Sequence, residues 1–279
     1  MNGIWWLASY PKSGSTWVRM FLNCAITHFP ANINTTYQYV SSDLAEPTYQ
    51  ACSVLPITQI GFREAVYLRP AALVNQLALS QGHDCCLKTH NANLSIDDIP
   101  FCPVKLSKGA VYIVRDPRDI VISFAQHMGI TIDRAIELMG NSNTLIHRKN
   151  KMLFHYLSSW SSHIKSWLSF DNPIPTSCIR YESMLKEPLI TFRQILDALG
   201  LSDYVNDAVL QYAIEQTQFT VLKKQEEKQG FRELGDKQKV FFNNGTIGNW
   251  VDKLTANQLC QIEKDHGEVM TELGYLQKG

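Results

Sequence analysis

The chain has no net charge, no long apolar run and no paired-cysteine motif. Its 279 residues include 26 Lys and Arg and 26 Asp and Glu, so the protein has no overall electrostatic field that would favour binding to nucleic acid or to a membrane surface. No apolar run reaches the ~18 residues of a membrane span. The N-terminus has neither a basic region nor a cleavage site, so we expect no signal peptide and a cytoplasmic protein. Length and apolar content fit one α/β domain over residues 1–279.

The cysteines argue against a disulfide-bonded protein and against a zinc-binding one. There are seven, an odd number, and no two of them form a Cys-x-x-Cys pair. We expect reduced, mostly buried thiols, which are typical of a cytosolic protein. The ligand spacing of a zinc site is absent as well, so we expect no bound metal.

The stretch from Trp5 to Phe21 predicts an anion-binding site. It begins as a short apolar strand, passes through a turn rich in Pro, Gly and Ser, and continues as a helix from about Thr16. The unpaired amides and the dipole of a helix N-terminus favour an anion. Lys12 adds a full positive charge. Hydroxyl donors come from Ser13, Ser15 and Thr16.

The order of residues in this turn differs from that of a Walker loop, in which lysine directly precedes the Ser or Thr that opens the helix. Here Lys12 comes four residues before Thr16 and also before Gly14, the only glycine of the turn. Pro-Lys-Ser-Gly-Ser-Thr-Trp, residues 11–17, closely resembles the 5′-phosphosulfate loop of the soluble sulfotransferase family. Those enzymes take a sulfonyl group from 3′-phosphoadenosine-5′-phosphosulfate (PAPS). A strand–helix turn with a lysine of no special function is the alternative.

Two further apolar strands end in basic clusters. Residues 83–88 are followed by His90, and residues 109–114 by Arg115 and Arg118. The carboxyl ends of strands in a right-handed parallel sheet share one edge. Three basic clusters after three apolar strands favour one polyanion pocket over separate solvated charges. The helical stretches between the strands predict an α/β fold, a P-loop-like parallel sheet with helices on both faces.

Periodicity and turn residues predict the remaining elements. Helices are expected over residues 16–29, 70–80, 120–129, 151–170 and 256–273, and the chain from 188 is expected to be helical with breaks. Residues 30–66 show no clear periodicity and are expected to be irregular. Residues 223–248, charged and then rich in Asn and Gly, are expected to form a mobile loop.

Residues 114–124, Val-Arg-Asp-Pro-Arg-Asp-Ile-Val-Ile-Ser-Phe, resemble the family's 3′-phosphate-binding motif. The resemblance implies that Arg115 and Ser123 hold the 3′-phosphate. A guanidinium fork suits a phosphate group, which agrees with that role. We expect Arg118 to be structural, in an ion pair with Asp116 or Asp119.

Lys-Thr-His at residues 88–90 resembles the family segment that carries the catalytic base. The resemblance implies that His90 takes the proton from the acceptor, a task for a group whose pKa is near neutral. By analogy with phosphoryl transfer, Lys12 is expected to stabilise the leaving phosphate oxygen and Lys88 the sulfonyl oxygens. No role is assigned to Thr89, and the other seven histidines have no comparable context.

Three more segments resemble family elements around the adenine. Arg-Tyr-Glu at 180–182 implies that Tyr181 lies near the adenine end. Thr-Gln-Phe at 217–219 implies that Thr217 and Phe219 border the adenine. Trp17 occupies the position of a tryptophan that stacks on it. For Trp17 and Phe219, core packing explains the residue type equally well.

The last motif departs from the family. Where the family has Arg-Lys-Gly-x-x-Gly-Asp-Trp, residues 243–250 are Asn-Asn-Gly-Thr-Ile-Gly-Asn-Trp. Loss of that arginine removes a charge-assisted contact to the 3′-phosphate worth roughly 1.5–3 kcal/mol. We expect Asn243, Asn244 and Gly245 to stay at the cofactor, Asn243 through neutral hydrogen bonds and Gly245 through its backbone amide. Lys237 or Lys239 is a candidate for the lost charge.

The whole pattern predicts a sulfotransferase that moves a sulfonyl group from PAPS to a hydroxyl or amine of a small molecule. The product of the donor is PAP (3′,5′-adenosine bisphosphate), and the resemblance implies that no metal is required. The acceptor is expected over His90, under residues 30–80, 125–150 and 225–245. Neither nucleic acid nor a membrane is an expected partner, and a homodimer is left open.

Two other functions are weighed against this one. The first is an ATP- and Mg²⁺-dependent kinase of a nucleoside or small molecule. It is disfavoured because the loop order is wrong and because Val114 is followed by Arg115, not by an aspartate. The second is a non-catalytic nucleotide-binding relative, which the replacement of the basic pair by Asn243 and Asn244 would explain.

Overall fold

The computed structural model describes residues 2–35, 39–147, 153–234, 240–242 and 245–277. The strands within these ranges are β1 (Ile4–Ser9), β2 (Val40–Ser42), β3 (Cys85–Thr89), β4 (Ser95–Ile96), β5 (Ile99–Pro100), β6 (Ser107–Val114), β7 (Leu145–His147), β8 (Phe154–Tyr156) and β9 (Thr176–Arg180). The α-helices are α1 (Ser15–Thr27), α2 (Glu46–Gln50), α3 (Phe62–Leu79), α4 (Pro117–Met128), α5 (Ile132–Gly140), α6 (Trp160–Leu168), α7 (Tyr181–Lys186), α8 (Pro188–Ala198), α9 (Asp207–Gln216), α10 (Phe219–Gln229) and α11 (Ala256–Glu272).

Five of the strands form one sheet with the order β2-β3-β1-β6-β9. All neighbours in it are parallel. The carboxyl ends of its strands therefore lie at one edge, as predicted, and the residues that follow them include Asp43, His90, Arg115 and Tyr181, the last of which begins α7. The strands β4–β5 and β7–β8 form two small antiparallel hairpins apart from this sheet.

Helices cover both faces of the sheet because its central strands are apolar on both sides. Trp6 of β1 and Tyr112 of β6 belong to the buried cluster that includes residues of α4, α6 and α11. Leu7 and Val111, one residue away, belong to the cluster that includes residues of α1, α8 and α9. This alternation confirms the predicted α/β fold class. No helix among the described residues is long and apolar enough to cross a bilayer.

The stretch from 30 to 80 is more ordered than predicted. It contains the short edge strand β2 and the helix α2. The helix α3 begins at Phe62, not at Pro70, which lies inside it. A buried face that includes Val66, Arg69 and Leu73 holds the helix together across the proline, so tertiary packing outweighs the local break.

Two more predicted elements are wrong. The helix expected over 151–170 begins only at Trp160, because the hydroxyl of Ser159 caps it by accepting from the backbone N–H of Ser162. Residues 154–156 of the predicted helix form the strand β8 instead. The loop expected from 223 is helical as far as Gln229, with Leu222 and Glu226 on the buried face of α10.

The cysteines are all free thiols, as predicted. They are less buried than expected, since only Cys24, Cys86 and Cys102 are fully buried. Cys178 and Cys260 are exposed.

Candidate active site

A cavity of about 1070 Å³ collects the basic side chains at the carboxyl ends of the strands. Its wall includes Lys12 after β1, Lys88 and His90 at the end of β3, and Arg115 after β6. Most of the other residues that the sequence assigned to the cofactor also line it: Gly14, Ser15, Thr16, Trp17, Ser123, Tyr181, Thr217, Phe219 and Gly245. The predicted meeting of three basic strand ends is thus present in the structure.

Two of the predicted residues, Asn243 and Asn244, lie outside the described part of the chain, as do Lys237 and Lys239. Ser13 is buried behind the cavity wall rather than on it. Arg118 is absent from the wall too. Its guanidinium pairs with Asp116 at 2.8 Å and lies 4.1 Å from the ring centre of Trp250, which confirms the structural role expected for it.

The first loop has a backbone that brings its amides close to the cavity. Lys12 has a φ of 71° and Gly14 a φ of 108°. Gly14 needs to be glycine because a Cβ there would lie 2.7 Å from the ring of Tyr181. In the described structure no side chain caps α1, so the amides of its first turn remain available to an anion.

Several buried polar atoms around this loop have no hydrogen-bond partner among the described residues. They are the hydroxyl of Ser13, the indole nitrogen of Trp17 and Nε of Arg115. Buried polar groups are normally paired, so such a cluster is typical of a binding site. Trp17 also packs edge-on against Tyr181 and Phe192, with ring centres 6.2 and 5.2 Å away. Both interpretations of Trp17, core packing and cavity wall, therefore apply.

Arg115 links three segments of the site. Its Nη1 donates to the carbonyl of Lys12 at 3.2 Å, and its Nη2 donates to the carbonyl of Thr246 at 3.2 Å. The guanidinium lies 4.2 Å from the ring centre of Tyr181. These contacts hold the guanidinium at the meeting point of the first loop, the 240–253 loop and the end of β9.

The ring of His90 has a fixed tautomer. Its Nδ1 lies 2.7 Å from the carbonyl oxygen of Ser9. A carbonyl oxygen only accepts, so Nδ1 carries the proton and Nε2 keeps a lone pair. Burial, together with the charge of Lys88, lowers the pKa of His90 well below 6.5. The pKa is thus lower than the near-neutral value expected for a general base, and the imidazole is neutral at pH 7 with the lone pair of Nε2 available for a proton.

Two other histidines lie next to His90, which the sequence did not predict. Nε2 of buried His163 donates to the carbonyl of His90 at 3.1 Å, and its Nδ1 accepts from the hydroxyl of Tyr112 at 2.8 Å. The ring of His155 lies 5.4 Å from the ring of His90 and lines the cavity. The expectation that the remaining histidines lack a comparable context is wrong, because contacts over 50 or more residues leave no local pattern.

A buried ion pair supports the strand end that carries Lys88 and His90. Asp43 and Arg69 are both fully buried and 2.7 Å apart. The Asp43 carboxylate also accepts from the hydroxyl of Thr89 at 2.7 Å and from the amide of Asn91 at 2.9 Å. These contacts hold the backbone on both sides of His90. Thr89, which had no assigned role, is thus a structural residue.

The 240–253 loop, of which residues 243 and 244 are not described, is held at two places by carboxylates. Glu226 accepts the backbone N–H groups of Phe241 at 2.6 Å and Phe242 at 2.9 Å. Asp119 accepts those of Gly248 at 2.8 Å and Trp250 at 3.3 Å. A side chain that differs from the family pattern adds two bonds, because the amide of Asn249 donates to the carbonyl of Thr246 at 3.2 Å and to its hydroxyl at 2.7 Å.

The same loop closes over the first loop. The ammonium of Lys12 lies 3.9 Å from the ring centre of Phe241. Gly245 has a φ of 54°, and a Cβ there would lie 2.5 Å from the ring of Phe219. Thr217 is buried and donates its hydroxyl to the carbonyl of Ala213 at 2.7 Å, so only its oxygen lone pairs remain for a ligand.

The sheet and its strand-end cavity define an α/β protein with an anion-binding site at the carboxyl ends of parallel strands. The sequence profile of the sulfotransferase domain matches residues 4–274. The chain therefore belongs to the sulfotransferase family, and the predicted family and enzyme class are confirmed.

Individual relatives agree with this assignment. Sulfotransferase 2A6 of Rattus norvegicus is 29% identical over 202 residues, which cover 68% of each chain. Cytosolic sulfotransferase 13 of Arabidopsis thaliana is 23% identical over 272 residues, 92% of this chain and 74% of that protein. The fold is similar to that of mouse sulfotransferase SULT7A1 complexed with PAP, with a TM-score of 0.61 and 20% identity over 97% of this chain and 85% of that one. It is also similar to retinol dehydratase in a complex with retinol and PAP, with a TM-score of 0.63 and 19% identity over 98% of this chain and 82% of that one.

Proposed function

We propose that this sulfotransferase transfers a sulfonyl group from PAPS to a hydroxyl or amine of a small molecule, with His90 as the general base. The observation that carries the proposal is the neutral imidazole of His90, which shares one cavity with Lys12, Lys88 and Arg115. A base with a lone pair beside three cations fits a reaction in which a proton leaves the acceptor while negative charge grows on a phosphate.

The residues around the first loop fit PAPS. The indole nitrogen of Trp17 and Nε of Arg115 belong to residues of the cavity wall, have no partner among the described residues and are donors that an anionic ligand can satisfy. Gly14 and Gly245 stand where a Cβ would strike Tyr181 or Phe219, so these two rings can pack directly on the backbone of the loops that line the cavity. We assign the 5′-phosphosulfate to residues 12–16, the 3′-phosphate to Arg115 and Ser123, and the adenine to Trp17, Tyr181, Thr217 and Phe219. PAP-bound sulfotransferases of similar fold support this assignment.

The reaction follows from the positions of the protein's own groups. PAPS supplies the sulfonyl group, and the electron pair of its breaking S–O bond leaves on the phosphate. His90 Nε2 takes the acceptor proton as the new bond to sulfur forms. The carbonyl of Ser9 keeps the ring in the productive tautomer. Lys88 stabilises the sulfonyl oxygens and Lys12 the leaving oxygen, so side chains supply the positive charge in this mechanism.

The cavity continues beyond His90 to an acceptor side. Both polar and apolar residues line this side: Ser41, Ser42, Leu44, Gln126, His127, Met128, Ile146 and His155. Structures of retinol dehydratase hold retinol or androsterone, which supports a small-molecule acceptor. We also propose one catalytic domain over residues 1–279 that works in the cytoplasm, where free thiols are stable.

Calorimetric titration with PAP, beside ATP with Mg²⁺, tests the proposal. We expect PAP to bind at least ten times more tightly than ATP. A preference for ATP would overturn the proposal in favour of a kinase. Binding of neither nucleotide would favour a non-catalytic relative. Transfer of ³⁵S-labelled sulfonyl from PAPS to a panel of phenols, alcohols and amines then identifies the acceptor class.

A further inference from the structure

The proposed 3′-phosphate site has less positive charge than its ligand needs. Arg115 is the only cation so far assigned to a group that carries close to two negative charges at pH 7. Asn243 and Asn244 stand where the family pattern has an Arg-Lys pair. A neutral amide does not replace a charge-assisted hydrogen bond to phosphate. Another cation on the same wall would restore the balance.

Lys253 lies at this end of the cavity. It lines the cavity together with Asn249, Asp119 and Ser123. Asp119 and Ser123 share one face of α4 because they are four residues apart. Asp119 accepts the backbone N–H of Trp250 at 3.3 Å, and the backbone N–H of Lys253 donates to the carbonyl of Trp250 at 3.1 Å. The turn that carries Lys253 is thus tied to α4 one helical turn before Ser123.

The ammonium of Lys253 is also available for a ligand, since it forms no ion pair with any residue that the structure describes. Its side chain is exposed, so a phosphate can reach it without displacing a packed group.

The other cations of the wall are placed differently. Arg19 pairs with Glu233 at 2.7 Å and is 3% exposed. Arg232 follows Phe231, which packs with Met20 and Leu222 on the α1 and α10 side of the cavity.

We propose that Lys253 pairs with the 3′-phosphate of PAPS and PAP and supplies the charge that the Asn243-Asn244 pair lacks. This assignment rests on the proposed function. Lys253 then joins Arg115 and Ser123, which line the same cavity, in contacting the phosphate. The turn that carries Lys253 is held at α4 by the contact between Asp119 and the backbone N–H of Trp250.

Isothermal titration with PAP and with adenosine 5′-phosphate, which lacks the 3′-phosphate, tests this role. Lys253→Gln removes the charge and Lys253→Arg keeps it. Lys264→Gln, at an exposed site on α11 away from the cavity, is the matched control. We expect Lys253→Gln to raise the Kd of PAP about tenfold and to leave the Kd of adenosine 5′-phosphate unchanged. Lys253→Arg and Lys264→Gln should bind both ligands like the parent protein.

Two results would overturn the role of Lys253. One is an unchanged Kd of PAP in Lys253→Gln. The other is an equal loss of affinity for both ligands, which would place Lys253 away from the 3′-phosphate. Failure of the proposed function gives a different result, because the parent protein itself would then not prefer PAP to adenosine 5′-phosphate.

Discussion

Nδ1 of His90 lies 2.7 Å from the carbonyl oxygen of Ser9, and this single contact leaves Nε2 free to accept a proton. We predict that His90→Ala lowers kcat by about 10²- to 10⁴-fold, the usual contribution of a general base. The Kd of PAP should stay within twofold because the ring is assigned to the acceptor. Steady-state kinetics and PAP titration check both parts. His83→Ala, at an exposed histidine, serves as the control and should keep full activity. Normal turnover in His90→Ala would remove His90 from the base role.

Acid should destabilise the fold through its buried histidines, which include His90, His163 and His266. Burial lowers the pKa of His163 and of His266 to about 4. The unfolded chain binds protons near pH 6.5, so stability is complete above that pH and falls as the pH drops toward 4. Each histidine accounts for roughly 3 kcal/mol over this range. Urea unfolding at pH 7.5, 6 and 5 measures the slope. His266→Gln should make the slope shallower, and an unchanged slope would contradict the assignment.

Gly245→Ala should weaken nucleotide binding. Its φ of 54° and the 2.5 Å approach of a Cβ to Phe219 leave no room for a methyl group unless the loop or the ring moves. Phe219 is assigned to the adenine, so we expect the Kd of PAP to rise at least tenfold. Gly82→Ala is the control, since Gly82 has a φ of 90° but open space around it. That variant should lose about 1–2 kcal/mol of stability and no affinity. Equal PAP affinity in both variants would show that the cavity tolerates displacement of Phe219.

Asp43→Asn should lower the free energy of unfolding by about 3–5 kcal/mol, because it leaves the Arg69 guanidinium buried without its anion. The side chains of Thr89 and Asn91, on both sides of His90, lose their charged acceptor as well, so kcat should fall even at temperatures where the variant is folded. Glu137→Gln breaks the exposed pair with Arg134 and should change stability by less than about 1 kcal/mol. Denaturant unfolding and kinetics on both variants give the comparison. A similar small effect in Asp43→Asn would mean that the buried pair is not what positions this strand end.

Glu226→Gln should loosen the 240–253 loop. The carboxylate accepts two backbone N–H groups, of Phe241 and Phe242, and hydrogen bonds to a charged acceptor are worth roughly 1.5–3 kcal/mol. We expect a weaker Kd of PAP and faster chymotrypsin cleavage after these two residues. Glu227→Gln, at the neighbouring exposed position, is the matched control and should change neither quantity. Unchanged cleavage in Glu226→Gln would show that other contacts hold the loop.

Local patterns predicted the parts of the fold that are governed by local physics. Three of the sheet strands are apolar runs followed by turn residues, and the capped helix from Ala256 has its signal in Thr255 and Gln258, which form a capping box. The helix expected over 151–170 was wrong because the Ser159 cap, which follows a left-handed residue at Ser158, decides where it begins. The helix expected to begin at Pro70 begins eight residues earlier, because burial of the neighbours of Pro70 holds α3 together across the proline.

The candidate site also has features that its sequence determined and features that only the fold decided. The sequence by itself determined which chemical groups are present and their order along the chain: a lysine before a helix start, Lys-Thr-His after one strand and an arginine after another. Only the tertiary structure decided how these groups act. It paired His90 with Ser9, placed His163 and His155 beside it, and buried Asp43 beneath the strand end. Proton position, pKa and loop anchoring depend on distances between residues far apart in sequence, and such distances exist only once the sheet has formed.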